Sequence, residues 1–179
     1  VIGNGSAGII PFGGFHTTDP TIEPTAVKLV WEDTPGLITG LSINSKNKRI
    51  SFATSPEEGN ALIAAMDSDS TILWSWHIWC TDTPAEHTYY KADGQSIVVH
   101  DRNLGATRAD RGNGDEWKES VGLSYQWGRK DPFIREYEQP ISFRLTLEEA
   151  IKHPTYSVSQ DGSWETDINT LLWADDTKT

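Results

Sequence analysis

The sequence has a single cysteine, few basic residues and no long apolar run. Cys80 has no second cysteine to pair with, so the chain cannot form an internal disulfide bond. No apolar run approaches the roughly 20 residues that a membrane-spanning helix needs. The 15 basic and 26 acidic side chains give a net charge of −11, which repels phosphate backbones and anionic lipid headgroups. We therefore expect no nucleic-acid partner and no direct insertion into a membrane.

The composition is that of a folded protein. The chain has 179 residues, of which 36% are hydrophobic and 10% aromatic, enough to build one large domain or two small ones. It begins at Val1 with neither an initiator methionine nor a basic-then-apolar leader. We therefore expect a processed or excised piece of a longer protein.

Turn residues and apolar runs divide the chain. Residues 1–25 are rich in glycine and proline, which predicts an irregular leader with one edge strand. Residues 26–84 contain short, regularly spaced apolar runs that predict an antiparallel β-sandwich. Residues 85–95 are polar and are predicted to be a linker, and a second unit follows over 96–179. The predicted strands of the sandwich are VKLVW, LITGLSI, RISFAT, ALIAAM and TILWSWHIW.

The second unit is predicted to mix strands and one helix. DRGNGDEW is predicted to be a loop, GLSYQWG a strand and RKDPF a turn. A capping box at Thr146 and Glu149 predicts a short helix from Leu147 to His153, which Pro154 ends. Residues 155–179 are predicted to be loops. The fold class is therefore α+β, mostly β.

The stretch ILWSWHIW has three tryptophans, and the strand period of two separates its side chains into two faces. One face is apolar throughout and contains Ile72, Trp74, Trp76, Ile78 and Cys80. The other is mixed and contains Leu73, Ser75, His77 and Trp79. We predict that the apolar face is core rather than a sugar platform. The mixed face should be covered by another segment, with Trp79 at a domain junction.

Two residues of this strand invite a chemical role. His77 has no second histidine or cysteine at metal-ligand spacing, so a structural histidine donating to a backbone carbonyl is favoured over a catalytic or zinc-binding one. Cys80 lacks an adjacent activating base and is interpreted as a small buried hydrophobe.

Acidic residues offer only weak metal sites. The turn DSDS, with Asp67 and Asp69, is interpreted as a hairpin turn; a calcium loop is the alternative, but it lacks the glycine and distal glutamate. A second candidate for an oxygen-ligated cation is a loop containing Asp110, Asn113, Asp115 and Glu116. Paired carboxylates such as Glu57 and Glu58 are interpreted as solvated charge. Since neither a GxSxG elbow nor a phosphate-binding loop occurs, we expect neither an enzyme nor a cofactor.

Three stretches carry a family resemblance: GNALIAAMDSDSTILWSWHIWCTD, VVHDRNLGATR and GLSYQWGRKDPF. Together, over about residues 26–179, they resemble surface modules of Gram-negative gut anaerobes that carry the major paralogous domain, found in fimbrillin-like and other exported lipoproteins. The segments LTLEEAIKHPTYS and LLWADDTKT follow in the order of that family.

The resemblance implies an exported protein, at the outer-membrane surface or extracellular, with an Ig-like antiparallel β-sandwich ahead of a C-type-lectin-like α+β module. It implies adhesion or binding, including glycan binding, and no catalysis. The lectin-like module is expected to be incomplete, because the family's DPCP and GWRVP segments do not occur. For the signature residues, loop-tying by charge-assisted bonds is favoured over ligand contact; they are Asp101, Arg102, Asn103, Gly105, Trp127, Gly128, Arg129, Asp131 and Pro132.

Four residues are candidates for ligand contact: Trp117, Trp164, Trp127 and Arg129. Their expected partners are glycans or host or bacterial surface proteins. The alternative is an assembly subunit of a fimbria or surface complex, whose strand edges and apolar ILWSWHIW face meet neighbouring subunits. The order Asp69, Ser70, Thr71 also resembles the O-glycosylation pattern of these bacteria, which makes Ser70 a candidate modification site.

Overall fold

The computed structural model describes residues 7–11, 22–46, 49–125, 131–134, 141–142 and 147–158. These residues are mostly β, as the sequence predicts. The strands are β1 (Ala7–Pro11), β2 (Ala26–Glu32), β3 (Ile38–Asn44), β4 (Arg49–Thr54), β5 (Gly59–Met66), β6 (Ile72–Cys80), β7 (Glu86–Tyr90), β8 (Ser96–His100), β9 (Ile141–Ser142) and β10 (Ser157–Val158). The helices are α1 (Trp117–Val121) and α2 (Leu147–Lys152), and a 3-10 turn at Gly114–Glu116 precedes α1.

Two antiparallel sheets of three strands form the first half. Their orders are β2-β5-β6 and β1-β4-β3. The five strands predicted between Ala26 and Cys80 are confirmed, and so is an edge strand in the leader, since β1 pairs with β4. Strands β7 and β8 form a separate hairpin, and β9 and β10 are a short parallel pair.

The core lies between the two sheets, since strands of both contribute buried side chains to it. In β4, Ile50, Phe52 and Thr54 are buried whereas Arg49 and Ala53 are exposed, the period of a strand with one wet face. Ten buried residues form the core cluster: Leu37, Ile38, Ile50, Phe52, Ala61, Ile63, Ala65, Trp76, Ile78 and Cys80.

Strand β6 confirms the predicted core face except at its first residue. Trp76, Ile78 and Cys80 lie in the core cluster, and Trp74 packs against it half-buried. Ile72 is not part of the cluster. The β5–β6 register shifts between Ile72 and Trp74, and the alternation of side chains changes at that bulge. Burial raises the pKa of the Cys80 thiol, which suits the predicted buried hydrophobe. The suggestion that this face meets neighbouring subunits is wrong, because the chain's own core covers it.

The opposite face of β6 is also covered, as predicted. Trp79 is 5% exposed and donates its Nε1–H to the Ala106 carbonyl at 3.1 Å. Ser75 donates to Asp131 Oδ2 at 2.8 Å, and helix α2 packs against β6. Ala106, Asp131 and α2 all lie after residue 100, so β6 joins the sandwich to the second half of the chain.

Part of the predicted linker over 85–95 is a strand. Residues 86–90 form β7, and Asp93 and Gly94 make the turn into β8, with Gly94 at φ +83°. An Asp-Gly pair between β-forming residues is a strong hairpin signal, and Asp93 and Gly94 are such a pair. Whether a domain boundary lies in this region stays a prediction.

In the second half, the sequence predicts some elements and misses others. The helix predicted from Leu147 is confirmed, ending at Lys152 rather than His153. The loop predicted for DRGNGDEW is wrong at its end, where the 3-10 turn leads into α1. GLSYQWG shows one isolated bridge, Ser124 to Phe133, and its last three residues lie outside the described ranges. In the ranges that the structure describes, no helix has the length and apolar character needed to cross a membrane.

Candidate ligand-binding cleft

An open cleft of about 730 Å³ lies where the sandwich meets the second half of the chain. Its walls come from the β2–β3 turn, the start of β5, the loop before α1, and α1 itself. The lining residues are Glu32, Asp33, Thr34, Pro56, Glu57, Glu58, Gly59, Asn60, Gly105, Thr107, Trp117, Lys118, Glu119, Gly122, Leu123 and Ile134. Five of these carry a carboxylate and one an ammonium group, so the cleft is acidic.

Asn60 is the polar anchor of the cleft. It is 2% exposed, and its Nδ2 group donates to Asp33 Oδ2 at 2.8 Å and to the Gly105 carbonyl at 2.9 Å. Its backbone N–H donates to Asp33 Oδ1 at 2.6 Å. Asn60 thus ties the β2–β3 turn and the loop after β8 to strand β5, which fixes two walls of the cleft relative to each other.

The carboxylates at the sandwich side hold loops in place. Glu32 accepts hydrogen bonds from two backbone N–H groups of the β2–β3 turn, at 2.6 and 3.1 Å. Glu58 accepts from Thr81 Oγ1 at 3.1 Å and from the Asp82 N–H at 3.0 Å. With Asp33 bound to Asn60, these three carboxylates act as structural acceptors. They shape a rigid wall rather than a loose acidic patch.

Trp117 lines the cleft from α1, with 41% of its surface exposed. It is the first residue of α1, where Ser120 Oγ donates to its carbonyl at 2.8 Å. Arg108 restrains α1 and the 3-10 turn before it, because its guanidinium lies 3.5 Å from carboxylate oxygens of both Glu116 and Glu119. The aromatic ring is therefore presented to solvent by a helix whose position is restrained.

The segment DRNLGA, residues 101–106, forms the joint between these walls. Arg102 donates to Asp101 at 2.8 and 3.2 Å, to Thr81 Oγ1 at 3.1 Å and to the Asp82 carboxylate. Asn103 Nδ2 donates to carbonyls of the last turn of α1, at 3.2 and 3.4 Å. The bonds to Arg102 hold the pKa of Asp101 below its usual range. The predicted loop-tying role of Asp101 and Arg102 is confirmed.

Gly105 gives a test of this joint. It has φ +85°, and a Cβ there would lie 2.7 Å from Leu123 Cγ. We expect Gly105→Ala to lower the free energy of unfolding by about 2 kcal/mol, from left-handed backbone strain plus overpacking. Gly94 is the matched control, since its φ is +83° and a Cβ there meets nothing within 4 Å.

For Gly94→Ala we expect a loss of about 1 kcal/mol, from backbone strain alone. Urea unfolding of both variants and the parent chain gives the comparison. Equal losses at the two positions would show that the loop is not packed against Leu123 as described.

His77 lies beneath the cleft and is bonded through both ring nitrogens. Nε2 is 3.0 Å from Asn60 Oδ1, and Nδ1 is 3.3 Å from the Tyr125 hydroxyl. Because Asn60 Oδ1 can only accept, the Nε2–H donates to it and Nδ1 accepts from Tyr125. Burial lowers the pKa of His77 to about 4 and raises that of Tyr125. The prediction of a structural histidine fits these bonds, but the predicted backbone acceptor is wrong.

Of the four residues predicted to contact a ligand, the structure places Trp117 in the cleft. Trp127, Arg129 and Trp164 lie outside the described residues. Sequence reasoning missed the sandwich side of the cleft, including Asn60. The only signal there was a polar residue in an apolar run, GNALIAAM.

The carboxylates of the candidate cation loop contact basic groups or backbone. Asp110 pairs with Arg108, and Asp115 lies 3.9 Å from Lys118 Nζ. Glu116 accepts from the Asn113 N–H at 2.8 Å. Over the described ranges, no three His, Cys, Asp or Glu side chains are grouped so that they could hold a metal ion.

The turn before β6 has the predicted geometry. Asp67 Oδ1 accepts from the N–H groups of Asp69 and Thr71, both at 2.9 Å. An aspartate that bonds the backbone two residues on confirms the hairpin turn. Ser70 is exposed there with φ 65°, so its hydroxyl is accessible, and its modification stays a prediction.

Comparison of the chain with protein-family models, curated proteins and solved structures found no significant match.

Proposed function

We propose that this chain is a non-catalytic binding module of an exported surface protein, and that its cleft binds neutral glycans. The observation that carries the proposal is that the partly exposed Trp117 lines the same cleft as five carboxylates. We further propose the finer fold assignment that the family resemblance implies. The sandwich is Ig-like, and the segment after it is part of a C-type-lectin-like module.

The two kinds of group in the cleft suit the two surfaces of a sugar. The C–H face of a pyranose ring stacks on an indole, whose ring is flat and apolar. Sugar hydroxyl groups donate hydrogen bonds, and carboxylates are strong acceptors for them. Glu57 and Glu119 are exposed carboxylates of the lining. A pocket with an aromatic surface and a few fixed polar groups is the usual design of a small-ligand site.

Charge narrows the class of glycan. The chain has a net charge of −11, and Lys118 is the only basic residue of the cleft lining among the described residues. Sialylated or sulfated sugars would be repelled by such a field. Neutral hexose or N-acetylhexosamine oligomers are the favoured ligands.

The hydrogen bonds of the carboxylates that line the cleft favour binding over hydrolysis. A glycosidase needs two carboxylates that flank the bond and are free to move protons. Of the five carboxylates in the lining, Glu32, Asp33 and Glu58 accept hydrogen bonds from donors of the sandwich. Glu119 lies 3.5 Å from Arg108, so four of the five are already engaged by the chain's own groups. Restrained walls lower the entropy that is lost on binding, as suits a recognition site.

Glycan-array screening followed by calorimetry tests the proposal. We expect binding to at least one neutral oligosaccharide, and Trp117→Ala should weaken it about tenfold through loss of stacking, near 1.4 kcal/mol. Because more than half of the Trp117 surface is buried, thermal unfolding of the variant is measured alongside to show that it is folded at the assay temperature. Tyr90→Ala is the matched control, an exposed aromatic outside the cleft lining.

The proposal fails if no neutral glycan binds, or if Trp117→Ala binds like the parent chain. Loss of binding in Tyr90→Ala with Trp117→Ala unaffected would place the site on the hairpin instead.

A second candidate function is that of an assembly subunit of a surface structure. It is favoured by the hairpin β7–β8, every residue of which is exposed. Strand edges that carry apolar side chains are surfaces on which a neighbouring chain can add a strand.

A further inference from the structure

The hairpin β7–β8 is the most exposed apolar surface of the described chain. Five of the seven large hydrophobic residues that are exposed there belong to it, each between 40% and 80% accessible: Tyr89, Tyr90, Ile97, Val98 and Val99. Within the described ranges its two strands pair only with each other. A two-stranded hairpin is marginal in water without further strands or a covering element. The hairpin therefore lacks a layer that would complete it.

The register shows which backbone groups are available. The Asp101 N–H donates to the Ala85 carbonyl at 2.9 Å, and the Lys91 N–H to the Gln95 carbonyl at 2.7 Å. Hydrogen-bonded pairs of an antiparallel ladder recur at every second residue. The bonded pairs between these ends are therefore His87 with Val99 and Tyr89 with Ile97.

It follows that the backbone N–H and C=O groups of Ser96, Val98 and His100 point outward from β8. On β7 the corresponding outward residue opposite Val98 is Thr88. The backbone of each edge can accept one more strand. The side chains of β7 and β8 therefore determine which edge is the more favourable for pairing.

Strand β8 is close to symmetrical about its central residue. Its sequence SIVVH has aliphatic residues on both sides of Val98 and polar residues at both ends. It contains no acidic or lysine side chain, although the chain as a whole carries a charge of −11. Strand β7, by contrast, contains Glu86. The charged residues and prolines that protect natural edges from pairing are missing from β8.

We propose that two copies of this chain associate through β8, antiparallel, with Val98 on the two-fold axis. The outward groups of Ser96 in one copy then face those of His100 in the other, and the two Val98 residues face each other. This register makes about six backbone hydrogen bonds between the copies. The two hairpins become one four-stranded antiparallel sheet, and the interface is isologous, as in most homodimers.

The same register pairs the apolar side chains. Ile97 of one copy lies directly opposite Val99 of the second copy, in a non-hydrogen-bonded pair where side chains are closest. Tyr89 flanks Ile97 on the same face of the hairpin. The pairing therefore extends an apolar strip across both copies. Because a strand edge buries less than the roughly 1,600 Å² of a standard interface, we expect a weak dimer, with a Kd on the order of 100 μM.

Sedimentation equilibrium of the whole chain between about 5 μM and 1 mM tests this proposal, over a range that brackets the expected Kd. We expect a monomer–dimer equilibrium. Val98→Pro should weaken it at least tenfold, because proline removes an outward N–H that the hairpin itself does not use. Thr88→Pro is the matched control: it removes an outward N–H from β7 and should leave dimerisation unchanged.

Val98→Cys gives an independent readout that does not need proline to be tolerated. Two cysteines on the axis fall within the Cα separation that a disulfide requires, so mild oxidation should give a covalent dimer. Cys80 is buried, so the parent chain should give none, and Thr88→Cys should give little. A parent chain that stays monomeric to 1 mM overturns the proposal and leaves the edge to a partner of another sequence. Loss of the dimer in Thr88→Pro alone, or equal cross-linking at both positions, would also overturn it.

Discussion

Replacing Trp76 by alanine is expected to lower the free energy of unfolding by about 3 to 5 kcal/mol. The side chain is 7% exposed and lies in the core cluster, where it stands opposite Ile63 on the neighbouring strand. Truncation removes a large apolar surface and leaves a cavity that close-packed sheets cannot fill. A loss of this size is a large share of the stability of a typical domain, so the unfolding midpoint in urea should move far down.

Tyr90→Ala provides the comparison, because that ring is 80% exposed. We expect the free energy of unfolding to change by no more than about 0.5 kcal/mol there. If Trp76→Ala were as mild as Tyr90→Ala, the tryptophan-rich strand could not be the centre of the core. Its apolar face would then be available for the subunit contacts that the structure excludes.

Acidification should destabilise the fold through His77. Its pKa is about 4 in the folded chain, against an ordinary value of 6.5, so between these values the unfolded state binds more protons. Stability therefore rises with pH in this window, and it is lost as pH falls from 6.5 through 4. The full effect amounts to about 3 kcal/mol for a shift of this size. The cause is burial of the ring against Asn60, Tyr125 and, at 6.3 Å, Trp31.

The His77 contribution is the difference between the parent chain and His77→Gln, measured by urea unfolding from pH 4 to 7. A glutamine keeps a donor and an acceptor but does not titrate, so the difference should change steadily across the window. A pH-independent difference for His77→Gln would contradict the buried, neutral ring.

Strands with one buried face could be predicted, and the reason is local. In β4 the side chains alternate between core and solvent, so the sequence itself states the register. Strand β6 was harder to predict, because both of its faces are covered and the bulge between Ile72 and Trp74 leaves no sign in a run of apolar residues. Helix α1 was missed because five residues are too few to show a helical period.

The cleft could be predicted only in part. Trp117 was a candidate because an exposed aromatic side chain offers a flat face on which a sugar can stack. Asn60 was not, because its partners Asp33 and Gly105 lie 27 and 45 residues away along the chain. Such long-range polar contacts are set by how the two halves pack, and no periodicity in the sequence reports them.

The contacts of the DRNLGA segment could likewise be predicted only in part from the sequence. A pairing of Arg102 with the adjacent Asp101 was within reach of sequence reasoning, since opposite charges next to each other favour charge-assisted bonds. The contacts of Arg102 with Thr81 and Asp82 were not, because they cross between the halves of the chain. Arg102 therefore holds its own loop through Asp101 and joins that loop to the end of the sandwich through Thr81 and Asp82.

In the proposed binding site Trp117 faces the ligand, whereas Trp76 and Trp79 of β6 belong to the scaffold. The most direct test is to follow the indole N–H resonances of the whole chain by NMR during titration with a neutral oligosaccharide that binds on the array. We expect the Trp117 signal to shift in proportion to occupancy, with those of Trp76 and Trp79 nearly unchanged. A titration that moves the Trp76 and Trp79 signals and leaves Trp117 in place would contradict the account.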